Sequence, residues 1–183
     1  MRGDLEHRGI AVETELAAPL EPVRGDRGQL ERVLANLIAN GVEAMSAVQD
    51  RQRRLRISSR LDSHGDVLVA VEDSGTGMDP ASMERVFEPY YTTKCQGSGL
   101  GLAMCRSIIE SHGGRLWALP NRPYGSVFSF TIPKSSSGVK RPAISAAEIV
   151  RSEHGRGSID ARKLGLLHGF GGAPGTGVSS ARG

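Results

Sequence analysis

Asp73-Ser-Gly-Thr-Gly-Met78 and Gly97-Ser-Gly-Leu-Gly101 are the two stretches of this chain whose residue types could do chemistry together. The first places a carboxylate just ahead of two glycines. The second places three glycines before an amphipathic run. A helix N-terminus offers unpaired N–H groups and the positive end of the helix dipole, which suits phosphate. Glycine lets a backbone come close to a ligand and permits positive φ. Between the two stretches, Val86 to Lys94 carries a lysine in a short span. A carboxylate at one end and a phosphate cradle at the other suit a nucleotide whose base bears an amino group.

These stretches need elements to hold them. Val67-Leu-Val-Ala-Val71 is a β-branched and apolar run, so a strand over Val67–Glu72 delivers Asp73 at its end. Leu55–Leu61 is a second strand, joined to it through the hairpin-like turn Asp62–Asp66. Leu102, Cys105, Ile108 and Ile109 share a face, which predicts a helix over Gly99–His112, ended by Gly113 and Gly114. Earlier, Asp26 with Gln29 three residues on reads as a helix start. Leu30, Val33, Leu34, Leu37, Ile38, Met45 and Val48 then give one apolar face running to about Gln49. A second stripe on this helix, Arg32, Asn36, Asn40 and Glu43, lies one turn apart. It reads equally as a polar site beside the core or as a solvated face. Gly41, mid-helix, costs about 1 kcal/mol relative to alanine, which suggests close approach of something. Asp79 caps a short helix over Pro80–Phe87, and Glu88–Ser98 is a loop. Alternation predicts further strands at Ile10–Leu16, Arg115–Leu119 and Ser126–Ile132, with a short one at Val23–Gly25.

The chain has 183 residues and a net charge of +3 with both signs mixed, too mild to argue for nucleic acid. Its two cysteines, Cys95 and Cys105, stand at no metal-ligand spacing and read as free thiols in a reducing compartment. No apolar run reaches the length of a membrane span. The polar start shows no signal peptide, so a cytoplasmic location is expected. Residues 1–7 read as a remnant or linker and 8–134 as one domain. Residues 135–183 are rich in Gly, Ser and Arg and are expected to be a disordered, low-complexity tail. Gly172–Ser179 has the glycine spacing of a P-loop. Val178 stands where the lysine would be and no strand precedes it, so it reads as flexible tail.

Four segments in order resemble the ATP-binding catalytic domain of sensor histidine kinases, within the superfamily of DNA gyrase B, MutL proteins and heat-shock chaperone ATPases. Gln29–Met45 resembles the family's N box, Asp73–Met78 the G1 box, Val86–Lys94 the F box and Gly97–Leu102 the G2 box. The wording from Phe87 to Lys94 looks most like the branch of nitrogen- and oxygen-regulating kinases. The resemblance implies a two-layer α/β sandwich, the Bergerat fold, with a mixed sheet of about five strands and three helices on one face. It implies ATP and Mg²⁺ as cofactors. Asp73 would accept from the adenine amino group, with Gly75, Gly77 and Met78 along the base. Asn40 would offer its oxygen to Mg²⁺, with Asn36 supporting the metal or the phosphates, and Glu43 would belong to the nucleotide site. Gly97, Ser98, Gly99, Leu100 and Gly101 would bring amides to the phosphates. Thr93 and Lys94 would belong to a lid and Tyr90 would pack that lid or the base pocket, with Lys94 and Asn40 as the catalytic residues.

One substitution separates branches of that superfamily. The ATPase relatives place a water-activating Glu one turn before the metal-binding Asn. Here that position is Asn36, which cannot act as a general base. The resemblance therefore implies phosphoryl transfer to a histidine of a phosphoacceptor helical hairpin, with a response-regulator receiver downstream. Only a few residues precede the first strand, so the chain reads as the C-terminal part of a kinase or a shortened gene product. A truncated, non-catalytic nucleotide-binding or partner-docking module is the alternative, and an ATP-hydrolysing relative a further one.

Overall fold

Alternation along Val67–Asp73 sets the architecture. Val67, Val69, Val71 and Asp73 fall on one side of the strand, and all four are buried. In the computed structural model, which describes residues 5, 7–17, 20, 22–92, 97–134 and 143–144, this strand lies near the centre of a five-stranded sheet. The elements run β1 (Ile10–Leu16), β2 (Val23–Arg24), α1 (Arg27–Ala44), β3 (Arg53–Leu61), β4 (Val67–Asp73), α2 (Pro80–Arg85), α3 (Gly101–Ser111), β5 (Arg115–Pro120), β6 (Ser126–Ile132) and β7 (Ala143–Ile144). Sheet order is β1-β3-β4-β6-β5. β1 pairs parallel with β3, and the other pairings in this sheet are antiparallel. The fold is the expected two-layer α/β sandwich with a mixed sheet and three helices on one face.

Register explains where the core sits. Ile57, Val71 and Phe128 stand in one row across the sheet, and Ser59, Val69 and Phe130 in the next. Onto this face α1 lays Leu30, Val33, Leu34, Leu37 and Ile38, all buried, and α3 adds Cys105 and Ile109. Each such side chain contributes about 2 kcal/mol on burial. Together they outweigh the roughly 1 kcal/mol that Gly41 takes from the helix. Phe87 meets Phe128 edge to face at 6.2 Å, fixing the segment after α2 to the sheet.

Helix ends differ from the sequence expectation in several places, and α2 stops at Arg85, with Val86 and Phe87 in the turn that follows. α1 stops at Ala44, not near Gln49. The helical pattern breaks at Ser46, whose N–H bonds the Glu43 carbonyl, and the Ala44 carbonyl takes the Thr76 N–H at 3.2 Å. Met45 and Val48 are nonetheless buried, through the turn that follows. α3 begins at Gly101 rather than Gly99, because Gly99 has φ +67. The caps on Asp26 and Asp79 are as read, each side chain accepting an N–H three residues on.

Ala143–Ile144 pair antiparallel with Val23–Arg24, although composition places them in the tail. Residues 145–183, including Gly172–Ser179, lie outside the described residues. No helix among the described residues is long and apolar enough to cross a membrane.

Candidate functional site

Asp73 is 2% exposed, a carboxylate at the end of a row of core valines. Its Oδ1 accepts from the Gly75 N–H at 2.8 Å and the Ser126 N–H at 3.4 Å. Burial pushes it up from 3.8 to about 6, and these two bonds only partly offset that. The hydrogen bonds to this carboxylate among the described residues go to Oδ1. Oδ2 lies on the side of α1, where a Cβ on Gly41 would stand 3.8 Å from it and 3.2 Å from Asp73 Cβ. Gly41 is thus where α1 meets the carboxylate, the close approach that its type suggested. The arrangement is chemically specific: a buried acceptor oxygen with its partner oxygen already engaged.

The turn after Asp73 is pinned from several sides. A Cβ on Gly75 would meet the Ala44 carbonyl oxygen at 2.7 Å, so only glycine lets the turn lie against the end of α1. The Ser74 N–H donates to the Arg54 carbonyl, and Ser74 Oγ accepts from the Arg54 N–H. Asn121, in the β5–β6 loop, donates through Nδ2 to the Asp73 carbonyl at 2.9 Å. Arg51 donates to the Ser74 and Gly75 carbonyls. Sequence reading missed Asn121 and Arg51. Neither lies in a patterned segment, and only the fold brings them to Asp73.

The polar stripe on α1 occupies the neighbouring turns. Asn36, Asn40 and Glu43 are half-buried, and Arg32 is exposed. Asn40 Nδ2 donates to Asn36 Oδ1 at 2.9 Å. That bond orients both amides, turning the Asn40 carbonyl oxygen rather than its NH₂ toward other partners. A Cβ on Gly101 would stand 2.9 Å from Asn36 Nδ2. α1 therefore meets the start of α3 at Asn36 and Asp73 at Gly41.

The second glycine stretch adjoins the loop through backbone contact. The Tyr90 N–H donates to the Gly99 carbonyl at 3.0 Å, and a Cβ on Gly99 would stand 2.4 Å from the Tyr90 carbonyl carbon. Tyr90 itself has φ 65, an uncommon value for a side-chain-bearing residue. The residue is 76% exposed, and it is its backbone that makes this contact. Tyr91 is anchored instead to α2: its hydroxyl lies 2.9 Å from Ser82 Oγ, and Arg85 stacks over its ring. Gly97, Ser98 and Leu100 are exposed, Gly77 and Met78 half-buried. Leu100 caps α3 with no side-chain hydrogen bond, leaving the first-turn amides of α3 uncapped by a side chain. Thr93, Lys94 and Cys95 lie outside the described residues.

Two further residues resolve into packing. Cys105 is a buried free cysteine whose thiol burial pushes up to about 12, so it is not a nucleophile here. His112 Nδ1 meets the Ile108 carbonyl at 2.7 Å, and its Nε2 accepts from the Asp26 N–H at 3.0 Å. A carbonyl only accepts and an amide only donates, which fixes the hydrogen on Nδ1. His112 thus ties the end of α3 to the start of α1.

Among the described residues no cluster of three or more His, Cys, Asp or Glu is placed to hold a metal. A cation such as Mg²⁺ that takes most of its oxygens from phosphate and water needs few from protein. An oriented amide carbonyl at Asn40 fits that requirement.

Residues 25–136 match the family of histidine kinase-, DNA gyrase B- and HSP90-like ATPases. The chain is 39% identical over 131 residues to the sensor protein TdiS of Thauera aromatica, covering 71% of this chain and 24% of that protein. It is 40% identical over 111 residues to the sensor protein FixL of Bradyrhizobium diazoefficiens, covering 61% of this chain and 22% of that one. The chain thus spans about a quarter or less of the length of these curated relatives. The nucleotide-free catalytic domain of the histidine kinase ThkA superposes with a TM-score of 0.62 at 37% identity, covering 73% of this chain and 84% of that one. The same kinase in complex with the response regulator protein TrrA superposes at 0.61, with 33% identity and 73% and 37% coverage.

Proposed function

Because the chain belongs to the family of histidine kinase-, DNA gyrase B- and HSP90-like ATPases, we propose that it binds Mg-ATP and donates the γ-phosphoryl group to a histidine on a phosphoacceptor helical hairpin. The observation that carries this reading is the Asp73 carboxylate, buried with Oδ1 held by two backbone N–H groups and Oδ2 toward α1. An acceptor so placed suits the exocyclic amino group of adenine and opposes the carbonyl that guanine presents there. Gly75, Gly77 and Met78 would flank the base.

The phosphates would lie where Asn36 faces Gly101, against the amides of Gly97, Ser98, Gly99, Leu100 and Gly101. Bound Mg²⁺ would supply charge neutralisation of the phosphates. Asn40 would hold it through its carbonyl oxygen, with Asn36 orienting that amide and Glu43 one turn on. Lys94, with Tyr90 and Thr93, would close over the γ-phosphate. Positioning and charge neutralisation are then the whole task of these residues. Asn36 supports transfer over hydrolysis, since an amide cannot take a proton from water. The likeness to sensor proteins, and to a kinase crystallised with a response regulator, supports a receiver as the downstream partner.

The test is calorimetric titration with Mg-ATP and Mg-GTP. ATP should bind and GTP should bind more weakly. Asp73→Asn should remove about 1.5–3 kcal/mol of the ATP binding energy. Equal affinity of both nucleotides, or of variant and wild type, would refute the role given to Asp73.

A further inference from the structure

Arg51 lies outside every motif, in the turn between α1 and β3, yet its side chain is directed at the turn that follows Asp73. Its Nε donates to the Ser74 carbonyl at 3.4 Å and its Nη2 to the Gly75 carbonyl at 2.9 Å. Each of those carbonyls belongs to a peptide unit whose other end is already committed. The Ser74–Gly75 peptide points its N–H at Asp73 Oδ1, 2.8 Å away. The Gly75–Thr76 peptide points its N–H at the Ala44 carbonyl, 3.2 Å away. The planar fork of one guanidinium thus holds the carbonyl ends of two successive peptides.

The consequence concerns the carboxylate. Glycine resists rotation of the adjoining peptide planes less than any other residue. A flip of the Ser74–Gly75 plane would replace the N–H facing Asp73 with a carbonyl oxygen. Oδ1 would lose its shorter hydrogen bond and face a like partial charge. Arg51 opposes that flip by holding the carbonyl on the far side. Arg51 is itself held: Asp50 bonds Nη1 at 2.9 and 3.1 Å, and the Tyr124 ring lies 4.0 Å beneath the guanidinium. Tyr124 belongs to the β5–β6 loop that also supplies Asn121 to Asp73, and Ser126, which bonds the same carboxylate, opens β6 directly after it.

We propose that Arg51 is a positioning residue for adenine recognition, fixing the two peptides that orient the Asp73 carboxylate. This rests on the reading of Asp73 as the acceptor for the base. Its effect falls on base discrimination and not on phosphate binding, which separates it from a residue that merely stabilises the fold.

The full chain, as wild type, Arg51→Ala, Arg51→Lys and Asp73→Asn, is titrated with Mg-ATP and Mg-GTP, and Gly75 amide hydrogen exchange is followed by NMR. Arg51→Ala should weaken ATP binding about tenfold and change GTP binding by less than about twofold. Gly75 exchange should quicken in the same variant. Arg51→Lys, whose ammonium can reach one of the two carbonyls, should recover part of the ATP affinity. ATP affinity unchanged in Arg51→Ala while Asp73→Asn loses it would overturn the proposal and leave the reading of Asp73 intact. An equal fall for both nucleotides would reduce Arg51 to a stabilising contact, which also overturns it. A wild type that does not prefer ATP would overturn the reading of Asp73 and this proposal with it.

Discussion

Asp73→Asn should make the empty protein more stable while removing its preference for adenine. The carboxylate is 2% exposed, and burial moves it from 3.8 to about 6. That gap corresponds to about 3 kcal/mol favouring the protonated form in the folded state. Because the folded value lies above the unfolded one, the native state binds more protons between the two values, and ionisation lowers stability. The penalty is absent below about pH 3.8, grows across the interval and is complete above about pH 6. Asparagine keeps an oxygen for the Gly75 and Ser126 N–H groups and carries no charge. Allowing about 1 kcal/mol for the amide's own unmet hydrogen, the gain near neutral pH is about 2 kcal/mol. For a domain of this size that raises Tm by roughly 5–10 °C. Thermal melts of wild type and variant, by circular dichroism without nucleotide, measure it from pH 4 to 8. The variant's advantage should grow toward neutrality and vanish or slightly reverse at the acid end, where only the amide's cost of about 1 kcal/mol remains. A variant less stable than wild type at neutral pH, or an offset that does not change with pH, would refute the assignment of a buried, charge-bearing Asp73.

Three further outcomes follow from the same geometry. ATP affinity should fall below about pH 6, by up to tenfold per pH unit, because the adenine amino group needs the ionised acceptor; calorimetry across pH, with GTP as control for phosphate protonation, checks it. Gly75→Ala should lower stability by about 2 kcal/mol or more, since its Cβ would stand 2.7 Å from the Ala44 carbonyl oxygen; urea unfolding measures the loss. His112→Ala should lower stability by about 1–2 kcal/mol through the lost Asp26 and Ile108 bonds, leaving ATP affinity within about twofold of wild type. A melt and a titration on the same sample separate these two effects.

Local signals were legible where the chain states them locally. The β-branched run Val67–Val71 announced a strand that delivers Asp73 at its end, and the Asp26 and Asp79 caps set both helix starts. The glycine stretches marked the two ends of the candidate site. What the sequence concealed is held by contacts between distant segments. α1 ends five residues early, and Thr76, far along the chain, bonds its last carbonyl, at Ala44. Gly41 has its reason in Asp73, and Arg51, Asn121 and His112 act on partners that no periodicity connects to them. The pairing of Ala143–Ile144 with β2 likewise has no local signature, since two residues are too few for a pattern. Of the stripe Arg32, Asn36, Asn40 and Glu43, ambiguous from spacing alone, Arg32 is exposed while the other three are half-buried and Asn40 bonds Asn36.

Phosphoryl transfer to a supplied hairpin tests the central claim most directly. The chain is incubated with Mg²⁺, γ-labelled ATP and a purified phosphoacceptor hairpin from a related sensor kinase, and protein-bound label is compared with free phosphate. Label should appear on the hairpin in an acid-labile, base-stable form, with little phosphate released when the hairpin is omitted. Brisk phosphate release by the chain alone, with no label on the hairpin, would contradict it and place the chain with the hydrolysing members of its family.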